Sequence, residues 1–180
     1  MSVSEPSNSA LPITSKLKAL LVDKIDMSRI SWDDMATAIG PNADKYDKLW
    51  HRMQGSSRNV FNSYSLCWSA IPFFGVAWAV ARKMDMWAAI MAVGMVITAV
   101  LIPSDAAALG LALVLSFSQK SIYLRWLMAH IQLINDQGLV GEQRQQALVA
   151  AGGLDAKSGW ITVAVVVGIN VLLWMAFGHD

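Results

Sequence analysis

The chain has 180 residues, 55% of them hydrophobic and only 15% charged. A soluble domain carries about 25% charged residues, and the shortfall here is concentrated in runs without any charge, 60–81, 86–104 and 159–178, with a shorter one over 106–119. Net charge is +1, from 14 Lys+Arg against 13 Asp+Glu, and Cys67 is the only cysteine; phosphate-driven nucleic-acid binding, a disulfide framework and Cys-rich metal sites are therefore excluded.

Residues 1–13 are polar and Ser-rich and hold Pro6. They lack the basic start and apolar run of a cleavable signal, and read as a disordered tail. Residues 14–58 carry three apolar stripes at helical spacing: Leu17, Leu20, Leu21 and Ile25; then Trp32, Met35, Ala36 and Ile39 behind Ser31 as N-cap; then Tyr46, Leu49, Trp50 and Met53. Gly40-Pro41 breaks the second stripe from the third. Three such short helices bury too little surface to stand alone, so this small cytoplasmic or interfacial part is expected to rest on the membrane or on a later loop.

A membrane block follows over 59–123, with runs 60–81, 86–102 and 106–123. A helix rises about 1.5 Å per residue and the hydrocarbon core is about 30 Å thick, so the longer runs can cross or nearly cross it. Pro72 interrupts the first run, Arg82-Lys83-Met84-Asp85 ends it, and Pro103-Ser104-Asp105 ends the second. A three-residue connection forces the second and third runs into an antiparallel hairpin. The third helix continues beyond the bilayer on Leu124, Leu127, Ile131 and Ile134 and stops at Asn135 to Gly138. Residues 124–158 form a cytoplasmic helical loop, in which Val140 to Ala151 is a Gln-rich helix ended by Gly152-Gly153 in a left-handed cap. Residues 159–177 form the C-terminal transmembrane helix. Trp160 and Trp174 near its ends, with Trp78, Trp87 and Trp126, read as interfacial aromatics.

The fold class is therefore all-α, a small polytopic helical membrane protein with three to four membrane segments. Eight Lys and Arg precede the first run, Arg82 and Lys83 follow it as cytoplasmic anchors, and Lys120, Arg125, Arg144 and Lys157 follow the third. Four full spans would leave these charges almost evenly divided between the two sides. A first run that re-enters at Pro72 places all 14 on the cytoplasmic side, the distribution that the positive-inside rule prefers. A kinked four-span bundle is the alternative.

Phe61-Asn62, Pro72-Phe73-Phe74-Gly75 with Trp78, Arg82-Lys83-Met84, Tyr123-Leu124-Arg125, and Leu148 followed by Gly152-Gly153 together resemble the bacterial membrane family known as domain of unknown function 2628, over about residues 61–153. Ser63 and Ala81 stand where that family usually carries aromatics. The resemblance implies a bacterial inner-membrane protein and brings no activity with it; the cytoplasmic N-terminus is the expectation from the Lys and Arg count.

Chemistry is sparse. His51, His130 and His179 lack the spacing of a two-His metal motif and read as exposed or interfacial. Ser65 and Ser69 share a helical face with Asn62, without a His or Lys to act as base. No nucleotide-binding Gly-rich loop occurs, and the absence of ionisable residues at mid-depth disfavours ion-coupled transport. No catalytic, cofactor or metal residues are expected. Ala106 and Gly110, Ala108 and Ala112, and Ala164 and Gly168 lie four apart, the small-xxx-small spacing that lets helices approach closely, either within the bundle or against another chain. These features lead to the expectation of a non-enzymatic membrane protein whose partners are the bilayer and another membrane protein or a second copy. The alternative is a small oligomeric channel or carrier for a neutral solute.

Overall fold

Ser31 starts the first helix as its sequence context requires: its hydroxyl accepts the Asp34 backbone N–H at 3.1 Å, and Asp33 and Asp34 lie where the helix dipole favours negative charge. In this computed structural model, which describes residues 25–55, 75–101 and 105–177, every regular element is helical, with no strand among the described residues. A 3-10 turn over Met27–Arg29 leads into α1 (Trp32–Ile39). Gly40, at φ +79°, reverses the chain into α2 (Asp44–Gly55). Then come α3 (Gly75–Ala81), α4 (Asp85–Leu101), α5 (Asp105–Asp136), α6 (Gly141–Ala151) and α7 (Ala156–Phe177).

The stripes of α1 and α2 fold as their spacing predicts. Met35, Ile39, Tyr46, Leu49, Trp50 and Met53 are all buried, with Ala38 taking the inward position expected for Ala36. They pack on the second half of α5, whose Leu124, Leu127, Met128, Ile131 and Ile134 are buried, and on Leu148 and Ala151 of α6. The small N-terminal helices thus rest on the later loop. Arg144 of α6 fastens this head: its guanidinium donates to Asp34 on α1 at 2.6 Å and to Asn135 on α5 at 3.0 Å. That hydrogen bond holds the Asp34 carboxyl below its ordinary value and raises Arg144. Of the stripe containing Leu17, Leu20 and Leu21, only Ile25 lies among the described residues, half-buried against the core.

The other end of the molecule has the opposite surface. Among the described residues, the exposed large apolar side chains other than Val140, Val149 and Leu154 all lie on α4, on the first half of α5 and on α7. Leu101 and Trp160 are each 72% exposed. One stretch, Gly141–Ile169, ending in α7, is long and apolar enough to cross a membrane by length and composition, and α4 contributes the shorter apolar helix Asp85–Thr98.

Connectivity at the boundary between the two ends is clear. Gln119 of α5 meets Met91 of α4, and Tyr123 lies over Arg82, so α4 leaves the boundary and α5 returns to it antiparallel. The expected runs 86–102, 106–123 and 159–177 correspond to α4, the first part of α5 and α7. Pro72, Pro103, the tail 1–13 and residues 60–74 of the first run lie outside the described residues, and so does the choice between re-entry and a full span.

Candidate functional site at the helix junction

Four chain segments meet at this boundary: the α3–α4 turn, the middle of α5, α2, and the α6–α7 turn. The α3–α4 turn is a Schellman motif. The Met84 N–H donates to the Ala79 carbonyl and the Lys83 N–H to that of Val80, both at 2.9 Å, with Lys83 in the left-handed conformation at φ +60°. Glycine usually takes that position. Lys83 takes it here with its ammonium donating to the Ala150 carbonyl at 3.3 Å, which ties the turn to the end of α6.

The turn directs Arg82 inward. Arg82 and Lys83 stand at the end of an apolar run, where a cation is normally solvated, yet Arg82 is only 7% exposed. Its guanidinium faces three aromatic rings, Tyr123 at 5.2 Å, Tyr46 at 5.6 Å and Trp78 at 5.9 Å from carbon to centroid. Each such contact contributes about 0.5–2 kcal/mol, more as water is excluded. No carboxylate forms an ion pair with Arg82 among the described residues, and its Nε and Nη1 are buried without a hydrogen-bond partner. The Tyr123 hydroxyl is also buried without one, although the guanidinium and the Gly153 backbone N–H are its polar neighbours. A buried donor left unsatisfied costs about 1–3 kcal/mol, so this cluster is polar chemistry held at an energetic cost.

The fourth wall is the α6–α7 turn. Gly152 packs so closely on α1 that a Cβ would stand 2.3 Å from the Ala38 carbonyl oxygen. The left-handed residue of the expected cap is Gly153, at φ +86°, while Gly152 has φ −124°. The Asp155 N–H then donates to the Ala81 carbonyl at 2.7 Å, and its carboxylate caps α7 through the Ser158 N–H and hydroxyl at 3.1 and 2.7 Å. The Ser158 hydroxyl, above all, holds the Asp155 carboxyl below its ordinary value. One turn on, Gly159 lies under Ala81, where a Cβ would come within 2.8 Å of the alanine Cβ.

The aromatic expectations divide. Trp160 is exposed at the start of α7, as an interfacial residue would be, and Trp78 and Trp87 are half-buried. Trp126 is not interfacial: it is buried in the head with its ring 4.3 Å from that of His130, which is itself buried rather than exposed. The ring forms the floor of the head because Trp126 and His130 are one turn apart on the buried face of α5. The side chains of Trp174, Ala108 and Ala112 lie outside the described set.

The small pairs are open. Ala106, Gly110, Ala164 and Gly168 are exposed, and a Cβ at Gly110 or Gly168 would meet nothing within 4 Å, so neither glycine marks a close helix contact among the described residues. The close contact of small residues is instead Ala77 and Ala81 against Gly159, four-apart alanines on α3 facing a glycine on α7. Sequence reasoning missed that triplet because the alanines were read only as part of an apolar run. It also missed Tyr46 and Tyr123 as walls of the Arg82 cage, since their partner was assigned to water. Among the described residues no group of His, Cys, Asp and Glu could hold a metal ion.

No family model matches the chain, and neither a curated protein nor a solved structure matches it.

Proposed function

We propose that the chain is a small polytopic protein of the bacterial inner membrane, in which α4, the first half of α5 and α7 cross the bilayer and the head stands in the cytoplasm. It works without catalysis, as an accessory or scaffolding subunit that associates with another membrane protein or a second copy. Membership of the uncharacterised family it resembles belongs to the same proposal.

The segregation of the surface supports this reading. Large apolar side chains are exposed along three helices at one end, while the other end buries its apolar residues in a closed core. A soluble monomer rarely exposes an apolar patch larger than a few hundred Å², and helices are structures whose backbone needs nothing from lipid. The basic residues favour the orientation: Arg29, Lys45, Lys48, Arg52, Arg82, Lys83, Lys120, Arg125, Arg144 and Lys157 lie in the head or close to the junction, and α4 and α7 carry none beyond their first turn. The uncovered glycines on α5 and α7 support association.

Extraction in a mild detergent followed by identification of co-purifying chains tests the function. A stable larger assembly is expected, and a monodisperse, partner-free monomer refutes it. Single cysteines at Lys83 and Asp180 in a Cys67→Ser background test the topology in oriented vesicles, with Lys83 accessible from the cytoplasmic face and Asp180 from the opposite one.

A further inference from the structure

We infer that the junction is a binding site for a phosphate group, with Arg82 and Tyr123 as its ligands and Lys83 beside them. The observation is an incomplete polar cluster. Two guanidinium nitrogens and a phenol hydroxyl are buried in one place without an acceptor, and no carboxylate pairs with the cation among the described residues. Three aromatic faces surround the guanidinium. Those faces hold it in position without accepting its N–H groups in their plane, so the fork that Arg presents to a planar or tetrahedral oxyanion remains unused.

The neighbouring backbone suits an anion. Gly153 is left-handed and its N–H borders the Tyr123 hydroxyl. The Lys83 ammonium lies 3.9 Å from where a Gly153 Cβ would stand, adding positive charge on the same side. Of the two carboxylates on these turns, Asp85 opens α4 and is exposed, and Asp155 is engaged by Ser158, with Lys83 acting on it through charge.

Depth and access favour phosphate over a protein carboxylate. The junction lies at the level of Trp160, where the apolar surface of α7 begins, which under the membrane reading above is the depth of lipid headgroups. Arg82 is only 7% exposed and its unpartnered Nε and Nη1 are closed off from solvent, which excludes a folded segment; a headgroup oxygen or a small anion reaches them with a local shift of the surrounding side chains. The ligand is therefore a phosphate carried either by an anionic phospholipid or by a small solute, and the lipid source rests on the proposed membrane placement.

The test uses the full chain, purified in a neutral detergent and depleted of lipid. Thermal unfolding is followed with added phosphatidylglycerol, with phosphatidylcholine, and with inorganic phosphate, for the wild type, Arg82→Gln, Arg82→Lys and Tyr123→Phe. Stabilisation by phosphatidylglycerol beyond that by phosphatidylcholine identifies a lipid headgroup, and stabilisation by inorganic phosphate alone identifies a soluble anion. In either case Tyr123→Phe, which removes one hydroxyl donor to a charged group, weakens binding about tenfold or more, Arg82→Gln abolishes it and Arg82→Lys retains part. If Arg82→Gln does not fold, Tyr123→Phe decides. No stabilisation of the wild type by either phosphate source, or equal stabilisation of the wild type and Tyr123→Phe, overturns the site. Whether the protein stays in the membrane fraction after carbonate washing reports separately on the membrane reading.

Discussion

Gly152→Ala isolates the close approach that brings the head onto the junction. Gly152 has a negative φ of −124°, so alanine there avoids the left-handed penalty and the cost at its contacts is steric. The new methyl would stand 2.3 Å from the Ala38 carbonyl oxygen, 2.9 Å from its carbon and 3.2 Å from Leu127 Cδ1. Both closest atoms are backbone, and no rotamer change relieves them. An ordinary contact needs the α6–α7 turn and α1 to separate by about 1 Å. A gap of 0.5–1 Å forfeits a quarter to a half of the dispersion energy across it, here along the seam where Ala38, Ile39, Leu148 and Ala151 are buried. The expected loss is about 3 kcal/mol, the upper end for overpacking. For a chain of this size that lowers Tm by about 6–12 °C. Gly138→Ala is the control: at φ +66° with nothing within 4 Å, it should cost only about 1 kcal/mol, from the left-handed backbone. Thermal unfolding of both variants in detergent measures the difference. If Gly152→Ala costs no more than Gly138→Ala, the turn does not pack on α1 as described.

Gly168→Leu meets open space among the described residues, so it should leave stability within about 0.5 kcal/mol of wild type while shifting a larger assembly toward the monomer on size-exclusion chromatography if α7 is the contact face. The Asp34 carboxyl is depressed by Arg144, so its contribution is present above the ordinary carboxylate value and lost as pH falls through the lower folded value. The stability of the wild type should therefore decline on acidification between about pH 5 and pH 2 more steeply than that of Arg144→Gln, as read by unfolding midpoints. Lys83→Gly removes the strain of a left-handed non-glycine residue, worth about 1–2 kcal/mol, against a hydrogen bond worth about 1 kcal/mol. Its Tm should hold or rise, and a fall of several degrees would show that the tie to Ala150 outweighs the strain.

Local signals were the legible part of the fold. Ser31, Gly40, the α1 and α2 stripes, the extension of α5 to Asp136 and the α6 helix follow from capping, turn and period-3.6 rules acting within a few residues. The direction in which Arg82 points was not legible. A cation at the end of an apolar run is normally solvated, and only the Schellman turn and the arrival of Tyr46 and Tyr123, 36 residues before it and 41 after it, enclose it. His130 and Trp126 were misplaced for a related reason: the head covers the extension of α5 on the face where a solvated helix would carry them. The small-xxx-small pairs show the converse limit, since their spacing marks where helices can approach and not which helix does.

α5 belongs to both ends of the molecule. It runs unbroken for 32 residues, about 48 Å at 1.5 Å per residue, with Tyr123 near its middle. Arms of unequal length extend to either side, the longer, about 27 Å, reaching Asp105 and the shorter, about 20 Å, carrying the head's core to Ile134 and ending at Asp136. The helix is thus a single beam crossing the Arg82 cage, and a tilt of its longer arm about that point would arrive at the head with opposite sense and reduced amplitude. Cutting the chain there would yield neither a detachable head nor a free anchor, because each would lose the beam on which it is built.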